Sequence, residues 1–351
     1  MLIGINYPWI DYGWDFGPPP PIWVDDEVLP AWRERKRRQI EEDFRNFASQ
    51  GIFAVRWFLM ADGTNYGMGE FAPKQEGGGW TFDPFPVGHP FYEQLRDDFA
   101  FVLQACARNG LKFFPSLIDF HWCGQGHAPE NSPGIIKCGR HDIIRNPAKR
   151  NAFLERILEP LLEASAQCPD LIYAWELINE PEWAVRNFSL SRRRHGNRNV
   201  PLEEMREFIA EGVRRINAKR LPSGGRAFRS SVGFAHWNSL QTWDAEALGI
   251  TLPQFHYYAQ KNGALPPHRS SSEYSCVLGE FATAVERDWP DLKRLHRDQT
   301  VANRLGCIEE KGYPACFLWS ARAADVATRW TTEEHQGILA YARQERPGGR
   351  A

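Results

Sequence analysis

Eight short, strand-like and largely apolar runs recur along the 351-residue chain, and a helix-sized connection follows each of them. The runs are Leu2–Asn6, Ile52–Leu59, Leu111–Phe120, Leu171–Ile178, Phe228–Phe234, Leu252–Tyr258, Cys276–Phe281 and Ala315–Ser320. Helical spacing is expected over Asp26–Gln50, where Leu29, Trp32, Ile40, Phe44 and Phe47 share a face and Gly51 offers a C-cap. Further helices are expected over His89–Asn109, Pro147–Gln167, Pro201–Arg220, Trp237–Leu248, Pro290–Lys311 and Thr331–Arg343, with a ragged, proline-containing connection after the sixth run. Strands apolar on both faces and alternating with helices make a parallel sheet covered on its outside. Eight such units close most naturally into a (β/α)8 TIM barrel. That accounts for the whole length as one domain over residues 1–351 with long βα loops, where length alone would also allow two domains. An open doubly wound sheet would carry a glycine-rich phosphate loop after its first strand. Asn6-Tyr7-Pro8-Trp9 stands there instead and cannot cradle phosphate.

Charge narrows the partners. Lys and Arg number 42 against 44 Asp and Glu, so no chain-wide basic field recruits nucleic acid. No apolar run approaches the roughly 18 residues of a membrane span, and no secretory signal is visible at the N-terminus. The seven cysteines are an odd number and several sit among apolar neighbours, as in Pro314-Ala315-Cys316-Phe317. Reduced, buried thiols in the cytoplasm are therefore expected. Oligomeric state is left open.

Three connections, 61–88, 121–146 and 182–200, are too long to be simple links. All three follow strands, so in a barrel they wall a cleft at the C-terminal ends of the strands, where barrel active sites lie. Two strand ends that reach this cleft carry a glutamate. The first is Glu180, in Trp175-Glu176-Leu177-Ile178-Asn179-Glu180-Pro181; the second is Glu280, in Val277-Leu278-Gly279-Glu280-Phe281. A single strand-end glutamate is as readily a solvated residue as a functional one. Two carboxylates on opposite sides of one barrel mouth are what glycoside hydrolysis needs: one protonates the leaving oxygen, the other attacks or activates water. Glu176 shares a face with Glu180 on an extended strand and is expected as a buried structural partner.

Asn179-Glu180-Pro181 on the fourth strand with Gly279-Glu280-Phe281 on the seventh resembles the retaining glycoside hydrolases of clan A, most closely family 5, the cellulase and mannanase family. The resemblance runs along nearly the whole barrel. Arg56 in Val55-Arg56-Trp57 matches that family's second-strand arginine, and His121 in Asp119-Phe120-His121 its third-strand histidine. His256 and Tyr258 in Phe255-His256-Tyr257-Tyr258 match the sixth-strand pair, and Trp319 in Phe317-Leu318-Trp319-Ser320 the eighth-strand tryptophan. The resemblance implies hydrolysis of β-glycosidic bonds by double displacement, without a cofactor. In it Glu180 is the general acid/base and Glu280 the nucleophile, kept ionised by donors such as Arg56 and Tyr258. Asn179 donates to the sugar 2-hydroxyl, His121 and His256 orient the carboxylates or bind hydroxyls, and Trp319 is the platform under the sugar. The first-strand motif and the long third-strand loop depart from common cellulases and mannanases, so an unusual β-linked glycoside is one alternative. A barrel that binds carbohydrate without catalysis is the other, although both glutamates are present.

Tryptophan stands out at 14 residues. Tyr7, Trp9, Tyr12, Trp14, Trp80, Trp122, Trp183 and Trp237 fall in loops expected at the cleft, and Trp9 and Trp183, which follow strand-end motifs, are the expected sugar contacts. A phosphate-binding barrel enzyme would need a glycine-rich loop after the seventh or eighth strand, which Thr283-Ala284-Val285-Glu286 and Ala321-Arg322-Ala323-Ala324 do not supply. Cys123-x3-His127 and Cys138-x2-His141 have spacing that a structural zinc could use, although free thiols and surface histidines in a long loop are the expected reading. Arg192-Arg193-Arg194, with Arg186 and Arg198, is a local basic patch, expected to be solvated rather than a site for an anion.

Overall fold

A computed structural model describes residues 1–19, 27–130, 134–186, 199–221, 224–259, 263–268, 276–283, 289–322 and 336–341. Its eight barrel strands are Leu2–Asn6, Ala54–Met60, Lys112–Asp119, Trp175–Asn179, Ser230–Phe234, Gln254–Tyr257, Val277–Ala282 and Ala315–Trp319. All pair in parallel with their sequence neighbours, and the first closes the barrel on the eighth through Ile5 opposite Leu318. The expected (β/α)8 barrel is the observed fold.

Side-chain alternation on the strands builds the interior in layers. On the second strand Val55, Trp57 and Leu59 face the helices, while Ala54, Arg56 and Phe58 face inward. Ala54, Phe114, Ala174, Leu252, Val277, Ala315 and Phe317 form an apolar floor, edged by Phe53 and Tyr173. Above the floor lies a polar layer of Asn6, Arg56, Ser116, Glu176, Ser231 and Gln254, all buried. The mouth lies above that. Strand register shifts between Glu176 and Asn179 and between Phe255 and His256. The first shift lets Asn179 join Glu176 around Arg56 instead of pointing outward, as strict alternation would require.

The outer helices follow their apolar spacing. Leu202–Ala218 buries Met205, Phe208, Ile209, Gly212, Val213 and Ile216, a 3–4 residue stripe. Gly212 lets this helix settle on the fourth strand, since a Cβ there would lie 2.5 Å from Leu177. Pro90–Asn109 opens with His89 accepting from the Phe91 N–H at 3.2 Å and ends on Gly110 in the left-handed region.

Several expected helices are shorter or broken. The first begins at Leu29, and residues 20–26 lie outside the described set. The stretch expected over Pro290–Lys311 is two helices, Pro290–Arg294 and Val301–Glu310, because Thr300 caps a new start by accepting from the Asn303 N–H at 3.3 Å. Trp237–Leu248 holds a single helical turn, Ser239–Thr242. Of the last expected helix only 336–341 is described, and it is helical.

The long loops after the second and third strands pack as one body. A hairpin, Lys74–Glu76 with Gly79–Thr81, turns on Gly77 and Gly78, both with positive φ. Its Trp80 lies where a Cβ on Gly126 would come within 2.9 Å. Arg140 is fully buried beneath these loops and donates to the carbonyls of Tyr66 (2.9 Å), Gly67 (3.0 Å), Ile136 (2.6 Å) and Cys138.

Candidate active site

Arg56 is the hub from which the site is built. Its five N–H donors are all used: Nε to Glu176 (2.7 Å), Nη2 to Glu176 (2.6 Å) and Asn179 Oδ1 (2.6 Å), and Nη1 to Asn6 Oδ1 (2.7 Å) and Glu280 (2.8 Å). Burial works against its charge, yet Glu176 and Glu280 outweigh burial and hold the guanidinium protonated. Glu176 also accepts from Ser116 (2.7 Å) and Gln254 (2.6 Å), so four donors surround a carboxylate with no exposure to solvent. It is the expected structural partner.

Glu280 stands on top of this layer, 3% exposed. One oxygen accepts from Arg56 and the other from the Tyr258 hydroxyl at 2.7 Å. Burial raises its pKa; His256, Arg56 and Tyr258 pull downward, and Glu180 adds to the rise. The donors expected to keep it ionised are in place, but they offset burial only in part.

Glu180 follows the fourth strand in a left-handed conformation, φ 45°, with its N–H on the Gly233 carbonyl at 2.6 Å. Its carboxylate accepts from His256 Nδ1 and from Trp183 Nε1, each at 2.7 Å. His256 Nδ1 is also 3.4 Å from Glu280, so one imidazole spans the two carboxylates. Burial lowers the His256 pKa, but Glu280 and Glu180 together outweigh burial, so the net direction is upward. Donor atoms of Glu180, His256 and Glu280 lie within 4.8 Å of one another, the only such His/Cys/Asp/Glu trio among the described residues. A trio of this kind could in principle hold a cation, but the Arg56 guanidinium already supplies the positive charge. Cys123, His127, Cys138 and His141 form no such group, so the zinc spacing is not matched by donor geometry.

Asn179 donates to Asp119 Oδ2 at 2.7 Å and accepts from Arg56, which fixes its amide at the rim. His121 pairs with Asp119 through Nδ1, its side chain 44% exposed, and feels the charge of Glu180. Trp319, 9% exposed, meets Trp9 at 6.2 Å and Phe58 at 6.3 Å between ring centroids. Of the loop aromatics, Tyr7, Trp14 and Trp122 are buried core, whereas Trp237 is 38% exposed. Arg192, Arg193, Arg194 and Arg198 lie outside the described residues.

No family model matches the chain, nor does any curated protein. Solved structures do match. A β-1,4-mannanase from the sea hare Aplysia kurodai aligns over 99% of this chain and 93% of its own, with TM-score 0.62 and 17% identity. An endo-1,4-β-mannanase from Eisenia fetida aligns over 97% and 90%, with TM-score 0.64 and 16% identity. An exo-β-1,4-mannosidase from an Opitutaceae bacterium covers 98% of this chain and 59% of its own, with TM-score 0.56 and 16% identity. The likeness is one of fold.

Two functional candidates escape the sequence reading. Asp119 ties His121 to Asn179 and is readable only once the third and fourth strands are known to be neighbours. Glu182 lies two residues beyond Glu180 and is 2% exposed. One of its oxygens accepts from the Ala235 N–H at 2.9 Å. Burial pushes this carboxyl up to about 7, and Glu180 adds to the shift. A second acid in Asn179-Glu180-Pro181-Glu182 is visible in sequence, but its burial is not.

Proposed function

We propose that the protein is a retaining β-glycosidase, with residues 1–351 forming one catalytic domain that works without a cofactor on a β-linked carbohydrate. The observation that carries this reading is the pair Glu180 and Glu280, spanned by His256 across the barrel mouth, with one carboxylate oxygen of each within 4.8 Å of the other. Retaining glycosidases hold their carboxyl groups roughly 5–5.5 Å apart, whereas inverting enzymes need room for a water between them.

In the proposed reaction a Glu280 oxygen attacks the anomeric carbon while Glu180 gives its proton to the departing glycosidic oxygen. A glycosyl ester forms on Glu280 as the C–O bond breaks. Glu180, now a base, takes a proton from water, whose oxygen adds to the anomeric carbon and frees Glu280. Arg56 and Tyr258 hold Glu280 for in-line attack. His256 supplies a proton shared between the carboxylates, Asn179 faces the 2-hydroxyl and Trp319 lies under the ring. Trp9, beside Trp319, and Trp183, beside Glu180, are the further sugar contacts, and His121 binds a hydroxyl. The names of the similar structures make β-1,4-mannosides the first substrates to try. The odd number of cysteines, several of them buried among apolar side chains, supports the cytoplasm as its compartment.

Aryl β-glycosides test the proposal. Glu280→Ala should lose at least about 1,000-fold in kcat, on the scale of removing a covalent nucleophile, and azide should restore turnover as a glycosyl azide of inverted configuration. NMR of the wild-type product should show the β-anomer first. Unimpaired turnover by Glu280→Ala would refute the assignment.

A further inference from the structure

The proposed reaction gives the cleft a direction. Glu180 must reach the glycosidic oxygen, so the leaving group occupies its side. Trp183, which donates to Glu180, and His236, whose ring meets Trp183 at 5.9 Å, mark that side. The sugar that becomes attached to Glu280 extends the other way, over Trp319 toward Trp9. There the described loops converge. Trp9 meets Tyr12 edge-on at 4.8 Å, and Lys137 Nζ stands 5.0 Å from the centre of the Tyr12 ring. Tyr12 belongs to the loop after the first barrel strand and Lys137 to the loop after the third, so the two loops meet one aromatic ring beyond the platform.

This junction is built rather than incidental. The Tyr12 phenol lies near Asp62 and Asp119, and burial with those two charges holds it un-ionised. The segment around Lys137 is tied back twice, by paired hydrogen bonds to His127 (3.0 and 3.1 Å) and by the Cys138 N–H on the Asp62 carbonyl at 3.2 Å. Arg140 anchors the same loop from below through the Ile136 carbonyl. Holding a wall in this way makes sense if it ends the cleft. Polar groups stand beside it: Lys137, and His121 with Asp119.

We propose that the Trp9–Tyr12–Lys137 wall closes the cleft beyond a single sugar site, so that the enzyme removes one terminal residue at a time from the non-reducing end of a β-linked chain. This rests on the retaining-glycosidase reading. Lys137 and His121 would bind the terminal hydroxyls that an internal sugar lacks, and Tyr12 would block the position a second sugar needs.

The test uses β-1,4-mannohexaose and cellohexaose carrying a fluorophore at the reducing end, beside the aryl β-glycosides. The expected first products are a free monosaccharide and a labelled chain one residue shorter, followed by a descending ladder. Tyr12→Ala should let disaccharide appear among the early products. Labelled fragments from the middle of the chain, or disaccharide as the first wild-type product, would overturn the exo assignment while leaving the glycosidase reading intact. Failure on the aryl glycosides and both oligomers would instead bring down the glycosidase reading.

Discussion

Glu182 shows how a single residue couples folding to pH. Its carboxyl is pushed up to about 7, first by burial and then by Glu180, against opposing contributions that include Ser239 and His256. An unfolded glutamate titrates near 4.3. The folded state therefore binds the proton more tightly. The resulting stability is fully present below the unfolded pKa and is lost as pH rises through about 7. Glu182→Gln keeps an oxygen for the Ala235 N–H and removes the titration. The variant should match the wild type near pH 4 and exceed it at pH 9 by on the order of 1–3 kcal/mol. Thermal denaturation at both pH values measures the difference, and a gap that does not widen with pH would show that Glu182 does not titrate in this range. Glu176 was legible as a structural residue because its strand position alone sends it inward. Glu182 was not, because its burial depends on Ala235 and Ser239, more than 50 positions away.

At the scale of elements, the fifth strand meets the Arg56 network through a missing side chain. A Cβ on Gly233 would lie 2.9 Å from Asn179 Oδ1, 3.0 Å from Glu176 and 3.1 Å from Arg56 Nη2. Those atoms are held by their own hydrogen bonds and cannot withdraw cheaply, so Gly233→Ala should displace Asn179 and the adjoining Glu180. Misplacement by about 1 Å costs about 100-fold in rate. Turnover of an aryl glycoside should fall on that scale while far-UV circular dichroism stays native; unchanged kcat would show that the network gives way. The elements themselves were readable in proportion to how local their causes are. All eight strands were found because doubly buried strands are mostly apolar, with only a few polar residues, such as Arg56, Glu176 and Gln254, turned into the barrel. The Pro290–Arg294 and Val301–Glu310 pair was read as one helix, since 295–300 holds no proline or glycine to mark the break that a left-handed His296 and the Thr300 cap make. The 74–81 hairpin was missed, although Gly77-Gly78-Gly79 carries its turn signal. His141–Arg145 was missed because it is short and lies in a loop judged by its cysteines and histidines.

For the molecule as a whole, the question is why a barrel should carry a charged layer between its apolar floor and its mouth. Burying an ion pair is costly, and apolar replacements of similar volume are often neutral or better for stability. Arg56 with Glu176 thus contributes little net stability, yet it sets the height and orientation of Glu280, Asn179 and Asn6 together. Asn6 in turn donates to the carbonyls of Gly279 (3.0 Å) and Leu318 (3.2 Å), which links the first, seventh and eighth strands. Stability and activity should therefore separate. Arg56→Met strands the Glu176 carboxylate, with Ser116 and Gln254 as its remaining donors, and should cost about 3–5 kcal/mol in chemical denaturation. Adding Glu176→Met removes the stranded charge and should recover most of that loss. Activity should not return with it, because Glu280 has lost its guanidinium and keeps only Tyr258 and His256 to orient it. If the double variant regained both stability and turnover, the polar layer would be a structural filler. If it regained stability alone, the layer exists to aim the mouth, and the barrel bears its cost for that purpose.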